Sequence, residues 1–298
     1  MLIEVSKESY LYAGCILSEN RMVILSRQNY ESKNAMCVAF FCDEKNIYKL
    51  NLPEDFFIGA VEIENRIVFA SQFGNTKMVD WRINTPWNNI LASCINQSIK
   101  DTNDFGEITK IRAFDSTFWL CGQFGQLYSF SNNNWSRADH GLRSLAAPSF
   151  EDIAGKSKAN IVGCGLFGEL NQFNGVNWKK IQSPTNRNIS AIICSDSGKY
   201  FAAGYNGIVL VGEGKEWSII GEPISNRNYE DLAFHEGELF LLYPTGIDRV
   251  SFDSIIPVED SFDAGVTFRK FAWGHDRLIV VCQDRLYEHD KGKWHLFS

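Results

Sequence analysis

One pattern occurs three times in succession, in FWLCGQFGQLYSFSNNNW (residues 118–135), IVGCGLFGELNQFNGVNW (161–178) and YFAAGYNGIVLVGEGKEW (200–217). Each copy reads as an apolar run, the tetrapeptide G-x-x-G, a second apolar run, a tight polar turn and a Trp. Short runs of Val, Ile, Phe, Tyr and Leu that end at Gly, Asn or Asp are typical of β-strands. The pattern therefore predicts a repeated all-β unit.

The spacing of the copies predicts the architecture. The second glycine of the tetrapeptide recurs at Gly125, Gly168 and Gly207, in steps of 43 and 39 positions. Weaker copies contain Gly74 and Gly246, another ends at Trp294, and residues 22–50 fit a longer first copy. Units of roughly 43 residues have the length of a four-stranded propeller blade. We predict one all-β domain over residues 1–298, a seven-bladed β-propeller of four-stranded antiparallel blades, with six blades as the alternative.

The repeated small residues have predicted structural roles, with the strands of each blade lettered A to D. Glycines of the turn between strands B and C (the BC turn) are predicted to have a φ that disfavours side chains, or to let backbones approach closely: Gly125, Gly168, Gly207 and Gly246. The repeated Trp is interpreted as a packing wedge between blades, with ligand stacking as the alternative. The eight cysteines lack CxxC or zinc-type spacing and are predicted to be buried thiols.

Composition narrows the partners and the compartment. The formal net charge is -7, which disfavours general binding to nucleic acid or anionic lipid. No run of about 18 apolar residues is present that could span a membrane. The N-terminal residues do not have the pattern of a signal peptide. These features predict a soluble, cytoplasmic monomer with no nucleic acid or membrane partner.

The pattern G-x-x-G-x-(I/L)-x-x-x-x-(G/N)-x-x-W resembles the repeats of BNR or Asp-box β-propellers, including the photosystem-assembly type, over residues 60–298. The Asp-box S-x-D-x-G-x-x-W is degenerate, because SNNNW, FNGVNW and GEGKEW lack its Asp and only Gly175 and Gly214 keep its Gly. The resemblance implies the architecture, and it does not extend to a calcium or carbohydrate site.

Catalysis is not predicted. Sialidase-type propellers need an arginine cluster, a Tyr nucleophile with a Glu, and an acid. No FRIP-like segment occurs, and only Tyr205 and Glu230 could be placed in such roles. The five histidines have no metal-binding spacing and are expected in turns or at the surface. Strands follow the G-x-x-G copies, which excludes a dinucleotide site. We predict no enzyme activity, catalytic residue, cofactor or metal.

Aromatic residues recur in the BC turns. They are expected at the edge where these turns meet the connections from strand D to the next strand A (the DA connections), and propellers bind partners at such loops. The residues are Phe73, Phe124, Phe167 and Tyr205. They could form a row of contacts for a partner, or each ring could cap its own blade. Exposure separates these alternatives.

Charged residues are expected at the same edge. Asn-Arg-Asn at 186–188 and again at 226–228 places Arg187 and Arg227 on adjacent blades, with Arg143 in a comparable connection. Carboxylates such as Glu230 and Asp231 begin the nearby inner strands. These charges could compensate one another at the surface or form a collar that recognises a protein. The connection at 138–149 and the insertion at 90–105 are further candidate contacts.

The sequence predicts a non-catalytic scaffold that binds a protein. By elimination, we predict a bacterial immunity or antitoxin-type protein that neutralises a toxin domain through its rim loops. Its predicted partner-binding residues are Arg143, Arg187, Arg227, Phe124, Phe167, Tyr205, Glu230 and Asp231. The alternatives are a BNR-like carbohydrate-binding protein or glycosidase, and an assembly factor.

Overall fold

The computed structural model describes residues 3, 8–28, 36–43, 46–52, 55–82, 85–102, 104–144, 147–259 and 262–297. Within these ranges the strands form seven four-stranded antiparallel sheets, and each sheet consists of four consecutive strands. The chain is a seven-bladed β-propeller, as the repeat predicted, and the six-bladed alternative is wrong. The blades are numbered in chain order.

Three blades belong to a compact unit formed by Met1–Ile99 and Glu259–Ser298. Their strands are β1 (Ser9–Ser18), β2 (Arg21–Gln28), β3 (Cys37–Cys42), β4 (Ile47–Leu52), β5 (Phe57–Ile63), β6 (Arg66–Ser71), β7 (Asn75–Asp80), β8 (Ile95–Ser98), β25 (Phe268–Gly274), β26 (Arg277–Cys282), β27 (Leu286–Asp290) and β28 (Lys293–Leu296). A helix, α1 (Trp87–Leu91), lies between β7 and β8 and buries Trp87 and Ile90. The predicted insertion at 90–105 therefore supplies the fourth strand of blade 2.

Four blades belong to a second compact unit, Lys100–Val258. Their strands are β9 (Ile108–Phe114), β10 (Thr117–Gly122), β11 (Leu127–Ser131), β12 (Asn134–Arg137), β13 (Phe150–Ser157), β14 (Asn160–Gly165), β15 (Leu170–Phe173), β16 (Trp178–Ile181), β17 (Ile189–Cys194), β18 (Tyr200–Gly204), β19 (Val209–Glu213), β20 (Glu216–Ile219), β21 (Asp231–His235), β22 (Glu238–Tyr243), β23 (Gly246–Ser251) and β24 (Ser254–Pro257). That residues 1–298 form one domain stays a prediction.

Blades 1 and 7 are adjacent within the first unit. The Leu11 amide donates to the Gln283 carbonyl at 2.8 Å, and the Arg277 guanidinium donates to the Glu19 carbonyl at 2.7 Å. An apolar cluster joins Ile24 and Phe40 of blade 1 to Ile279 of blade 7. The N-terminal and C-terminal blades therefore share a core. The sequence also leaves open a ring closed by strand exchange through residues 2–5, of which only residue 3 lies within the described residues.

The predicted turn glycines are mostly confirmed. Gly125, Gly168 and Gly207 close short 3-10 turns with φ of +73°, +73° and +71°. The prediction is wrong for the φ of Gly246, which lies within the β-ladder opposite Tyr243. Blade 6 turns through two residues, 244 and 245, so its glycine is not part of the turn. Gly246 leaves space for the Tyr243 ring, which a Cβ would overlap.

Two of the three Trp residues in the main copies pack between blades as predicted. Trp178 and Trp217 lie against apolar clusters that combine residues of two neighbouring blades. Trp135 is buried and contacts Phe130 of its own blade, with ring centroids 5.2 Å apart. These rings fill space within the fold.

The cysteines are all free thiols, and six of the eight are buried. Burial raises the pKa of Cys121 and of Cys282 to about 12. Such thiols stay protonated at neutral pH and pack as small apolar groups. The prediction of buried thiols is confirmed for these six, whereas Cys94 and Cys194 are half-buried. One histidine prediction is wrong, because His289 lies buried on β27 with its ring centroid 5.1 Å from that of Trp294.

Candidate functional site

The BC turns and DA connections of the second unit hold one another by a repeated hydrogen bond. The Phe167 amide donates to Oδ1 of Asn188 at 2.9 Å, and the Asn206 amide donates to Oδ1 of Asn228 at 3.0 Å. In blade 3, Oγ of Ser149 accepts from the Phe124 amide at 3.3 Å. The last Asn of each Asn-Arg-Asn motif therefore fixes the turn of the preceding blade. These hydrogen bonds hold the BC turns in place against the DA connections at this edge.

Gly168 shows why glycine occupies these turns. Its φ is +73°, in the left-handed region that a side chain disfavours. A Cβ at this position would also overlap the carbonyl oxygen of Thr185, in the connection that follows blade 4. The glycine therefore allows the DA connection to lie directly against the turn.

Apolar side chains project from two of these turns. Phe167 is 80% exposed, Tyr205 is 44% exposed and Leu166 is 40% exposed. Phe124 of blade 3 is half-buried, and its carbonyl accepts a hydrogen bond from the Ser144 amide of the following connection. The exposed-row interpretation therefore fits Phe167 and Tyr205, and the capping interpretation fits Phe124 better. In the first unit, Phe73 is exposed and its ring centroid lies 6.2 Å from that of Phe56.

Arg187 lies between the two exposed aromatic turns. It precedes Asn188, which holds the Phe167 turn, and its own Nη1 donates to the Asn206 carbonyl at 2.8 Å, next to Tyr205. Among the described residues, no carboxylate lies within 4.0 Å of its guanidinium nitrogens. We call Leu166, Phe167, Arg187 and Tyr205 the rim patch.

Arg143 has a different environment, which corrects the expectation of an exposed rim arginine at this position. Its side chain is 1% exposed, with ion pairs to Asp101 at 2.7 Å and Asp139 at 3.1 Å. The guanidinium carbon lies 4.7 Å from the Tyr128 ring centroid and 5.0 Å from that of Phe105. Both carboxylates lie in the loops that flank blade 3, so the ion pairs hold the connection that carries Arg143 against that blade. Leu145, also a candidate contact, lies outside the described residues.

Arg227 also forms an ion pair with a buried carboxylate. Its Nε lies 3.3 Å from Oδ2 of Asp248, and its guanidinium carbon lies 4.1 Å from the Tyr243 ring centroid. Asp248 is fully buried and accepts a hydrogen bond from the Tyr229 hydroxyl at 2.7 Å. Burial raises the pKa of Tyr229, and Asp248 raises it further, so the phenol keeps the proton that it donates. Although the motif repeats, Arg227 neutralises a buried charge and Arg187 does not.

The carboxylate prediction was right about the strand, because Asp231 begins β21, and wrong about its exposure. Asp231 is buried, not at the rim, with its Oδ1 3.6 Å from Nζ of Lys110 and 3.8 Å from Nη2 of Arg112. Glu230 is half-buried, and its amide donates to the Leu242 carbonyl at 2.8 Å. Compensating charges were one of the two expectations. The charges of Asp231, Lys110 and Arg112 do compensate one another, but inside the fold.

Asp152 is the centre of this inner-strand charge cluster, formed by Lys110, Arg112, Asp152 and Asp231. It is fully buried, pairs with Arg112 through both oxygens and accepts a hydrogen bond from the Ile192 amide at 3.1 Å. Burial lowers the pKa of Arg112, but the charges of Asp152 and Asp231 raise it by more, so it lies above its ordinary value. The cluster links the A strands of four blades, and its charges are satisfied internally.

Sequence reasoning missed Arg112 and Leu166. Arg112 and Lys110 alternate along β9 and therefore share one face of an A strand, which is a signal for a charge cluster. Leu166 has the same turn position as Gln123 and Tyr205, and nothing local marks it as exposed.

Comparison with known proteins confirms the β-propeller fold and finds a sequence similarity over part of the chain. No protein-family model matches the chain. A curated relative, described as "Immune protein Tsi7" from Pseudomonas aeruginosa, is 31% identical over 147 residues, or 48% of each chain. The chain thus spans about half the length of the curated relative that it matches. The sequence therefore carries a partial similarity to an immunity protein.

Solved structures show the fold alone. The WD40 β-propeller domain of Doa1 aligns with a TM-score of 0.68 at 9% identity, over 98% of this chain and 97% of that one. YCF48 bound to D1 peptide aligns with a TM-score of 0.70 at 11% identity, over 96% and 94%. The β-propeller class is confirmed, and membership of the BNR or Asp-box group stays a prediction.

Helices contribute little to the described part of the chain, and none there has the length and apolar character that crossing a membrane would require.

Proposed function

We propose that the chain is a non-catalytic immunity-type protein that binds and neutralises a protein toxin through the edge carrying its BC turns. The observation that carries this proposal is the similarity to immune protein Tsi7. Because that similarity covers about half of each chain, the activity and the toxin partner are our proposal for this protein.

The geometry of the edge supports a protein partner. Leu166, Phe167 and Tyr205 are exposed on turns that are hydrogen-bonded to the next connection. A preordered surface loses little conformational freedom on binding, so more of the contact energy appears as affinity. A neutralising protein needs tight binding, and rigid aromatic anchors supply it efficiently.

The test has two stages. The tagged chain is used as bait in cells of its source organism, and the captured protein is identified by mass spectrometry. We then express the captured protein alone and together with this chain in a laboratory bacterium. The expected result is growth arrest in the first case and normal growth in the second. Capture of a harmless protein would contradict the immunity role, and failure to capture any protein would contradict binding as well.

We further propose that the protein acts as a cytoplasmic monomer without nucleic acid or membrane partners. The net charge of -7 supports the absence of nucleic acid and anionic membrane partners, because an acidic surface repels phosphate groups. Light scattering should give a mass near 33.8 kDa for the free chain. A mass twice as large would contradict the monomer.

A further inference from the structure

The rim patch has an arginine whose charge the fold does not use. A guanidinium has five N–H donors, and Arg187 directs Nη1 to the Asn206 carbonyl. Three other arginines of the second unit, Arg112, Arg143 and Arg227, each lie beside a carboxylate. No described carboxylate serves Arg187 in that way. Among the side chains of an unmodified protein, the carboxylates of Asp and Glu have two oxygens that match a guanidinium fork.

Phe167 is a second residue that the fold does not need. It has φ of +54° and is 80% exposed. A left-handed backbone costs a residue with a Cβ about 1 kcal/mol or more, and an exposed ring regains little of that by packing. Asn206 has the same conformation in the equivalent turn of blade 5, and asparagine tolerates it better. The ring at 167 is therefore available for contact with another molecule.

These features lie together. Arg187 is hydrogen-bonded to the turn that carries Tyr205, and its neighbour Asn188 is hydrogen-bonded to the turn that carries Phe167. Residues 187 and 188 are thus hydrogen-bonded to two turns on adjacent blades, each of which carries an exposed aromatic residue. Aromatic residues and arginine dominate the energetics of protein interfaces.

We infer that the rim patch binds a segment of the protein partner that presents a carboxylate to Arg187 and apolar side chains to Phe167 and Tyr205. The inference rests on the proposed function and specifies the chemistry of the segment recognised. Charge complementarity favours this occupant over a basic segment, because the patch offers a cation that no carboxylate of the described residues neutralises.

The chain contains matched controls for both contacts. Phe252 has φ of +53° and is 98% exposed, but it lies in the turn between strands C and D of blade 6. Lys215 is exposed in the corresponding turn of blade 5. In an antiparallel meander these turns lie at the opposite end of the strands from the BC turns. F252N and K215E therefore repeat the chemical changes of F167N and R187E away from the patch.

The experiment measures affinity for the purified captured protein by calorimetry. We expect F167N and R187E each to weaken binding by at least about tenfold, because each removes a central contact. F252N and K215E should change it by less than about twofold, as surface substitutions do. R187Q removes the charge without reversing it and serves if R187E fails to fold. All variants should melt within about 2 °C of the parent.

A charge exchange identifies the segment. A photo-crosslinking amino acid at position 167 marks the partner peptide, which we expect to contain Asp or Glu. Changing that residue to Lys should weaken binding, and combining it with R187E should restore at least part of the affinity. Unchanged affinity of R187E and R187Q, or equal losses from R187E and K215E, would overturn the inference while the proposed function stands. Failure to capture a partner would overturn both.

Discussion

Two DA connections of the second unit each accept a hydrogen bond from the BC turn of the preceding blade, but their arginines lie in different electrostatic environments. In the connection after blade 3, the Pro148 carbonyl accepts a hydrogen bond from the Gly125 amide at 2.7 Å. In the connection after blade 4, Oδ1 of Asn188 accepts one from the Phe167 amide at 2.9 Å. In the first, Arg143 is 1% exposed between two aspartates. In the second, the Arg187 guanidinium donates to the Asn206 carbonyl, and no carboxylate in the described ranges pairs with it.

The difference separates a structural charge from one available for recognition. A buried guanidinium must have a counter-charge, since removing it from water unpaired costs several kcal/mol. An exposed guanidinium needs none, because water solvates it. Arg143 therefore stabilises blade 3 and its loops, whereas Arg187 can bind a partner without a loss to the fold. Four substitutions in these connections and the adjoining turn test the comparison, and they follow in order of decreasing expected effect on the free energy of unfolding.

The largest effect is expected from R143A. It removes the buried arginine that pairs with Asp139, whose other partner, Arg137, remains at 3.1 Å, so we expect the lower end of the about 3–5 kcal/mol that breaking a buried ion pair typically costs. Urea denaturation followed by tryptophan fluorescence should show a loss in the free energy of unfolding of that size. A loss below about 1 kcal/mol would mean that the pair does not stabilise the fold.

G168A should have the next largest effect. The backbone at position 168 is left-handed, which a Cβ disfavours, and the new Cβ would also overlap the Thr185 carbonyl. We therefore expect the free energy of unfolding to fall by about 2 kcal/mol or more. G214A is the matched control, because its φ is +57° and no heavy atom lies within 4 Å of a Cβ there. It should lose about 1 kcal/mol. Equal losses in the denaturation midpoints would show that the connection can move away from the turn.

R187A should change stability much less than R143A. It removes one hydrogen bond to a backbone carbonyl, which contributes about 1 kcal/mol or less at a half-exposed site. The same denaturation experiment measures it. If R187A were as destabilising as R143A, Arg187 would be a structural residue and the rim patch would lose its basis.

The smallest effect, of opposite sign, is expected from F167N. Asparagine tolerates a left-handed backbone better than phenylalanine, so the free energy of unfolding should rise by about 0.5 kcal/mol. Thermal unfolding by calorimetry is the measurement. A loss of more than about 1 kcal/mol would indicate that the ring packs against the fold.

The sequence predicted the blades because strands and turns are local. Runs of β-forming residues ending at glycine set the strand positions, and the apolar run FWLC that opens the first quoted copy lies within β10. Gly246 was placed wrongly because the two-residue turn of blade 6 gives the same letter spacing as a 3-10 turn. The exposed aromatic turns were predicted as one of two alternatives, since a single sequence does not show what covers a ring.

By itself, the amino-acid sequence determined the period, the strands, the small turn residues and the buried thiols. Only the tertiary structure decided which of the repeated arginines carries a counter-charge. Arg143 reaches Asp101, 42 positions away, and Arg112 reaches Asp152, 40 positions away. Such pairs form between neighbouring blades and loops, where distance in space is unrelated to local sequence pattern. The electrostatic environment of a side chain follows from that distance, so Arg187 and Arg227 share a motif and differ in role.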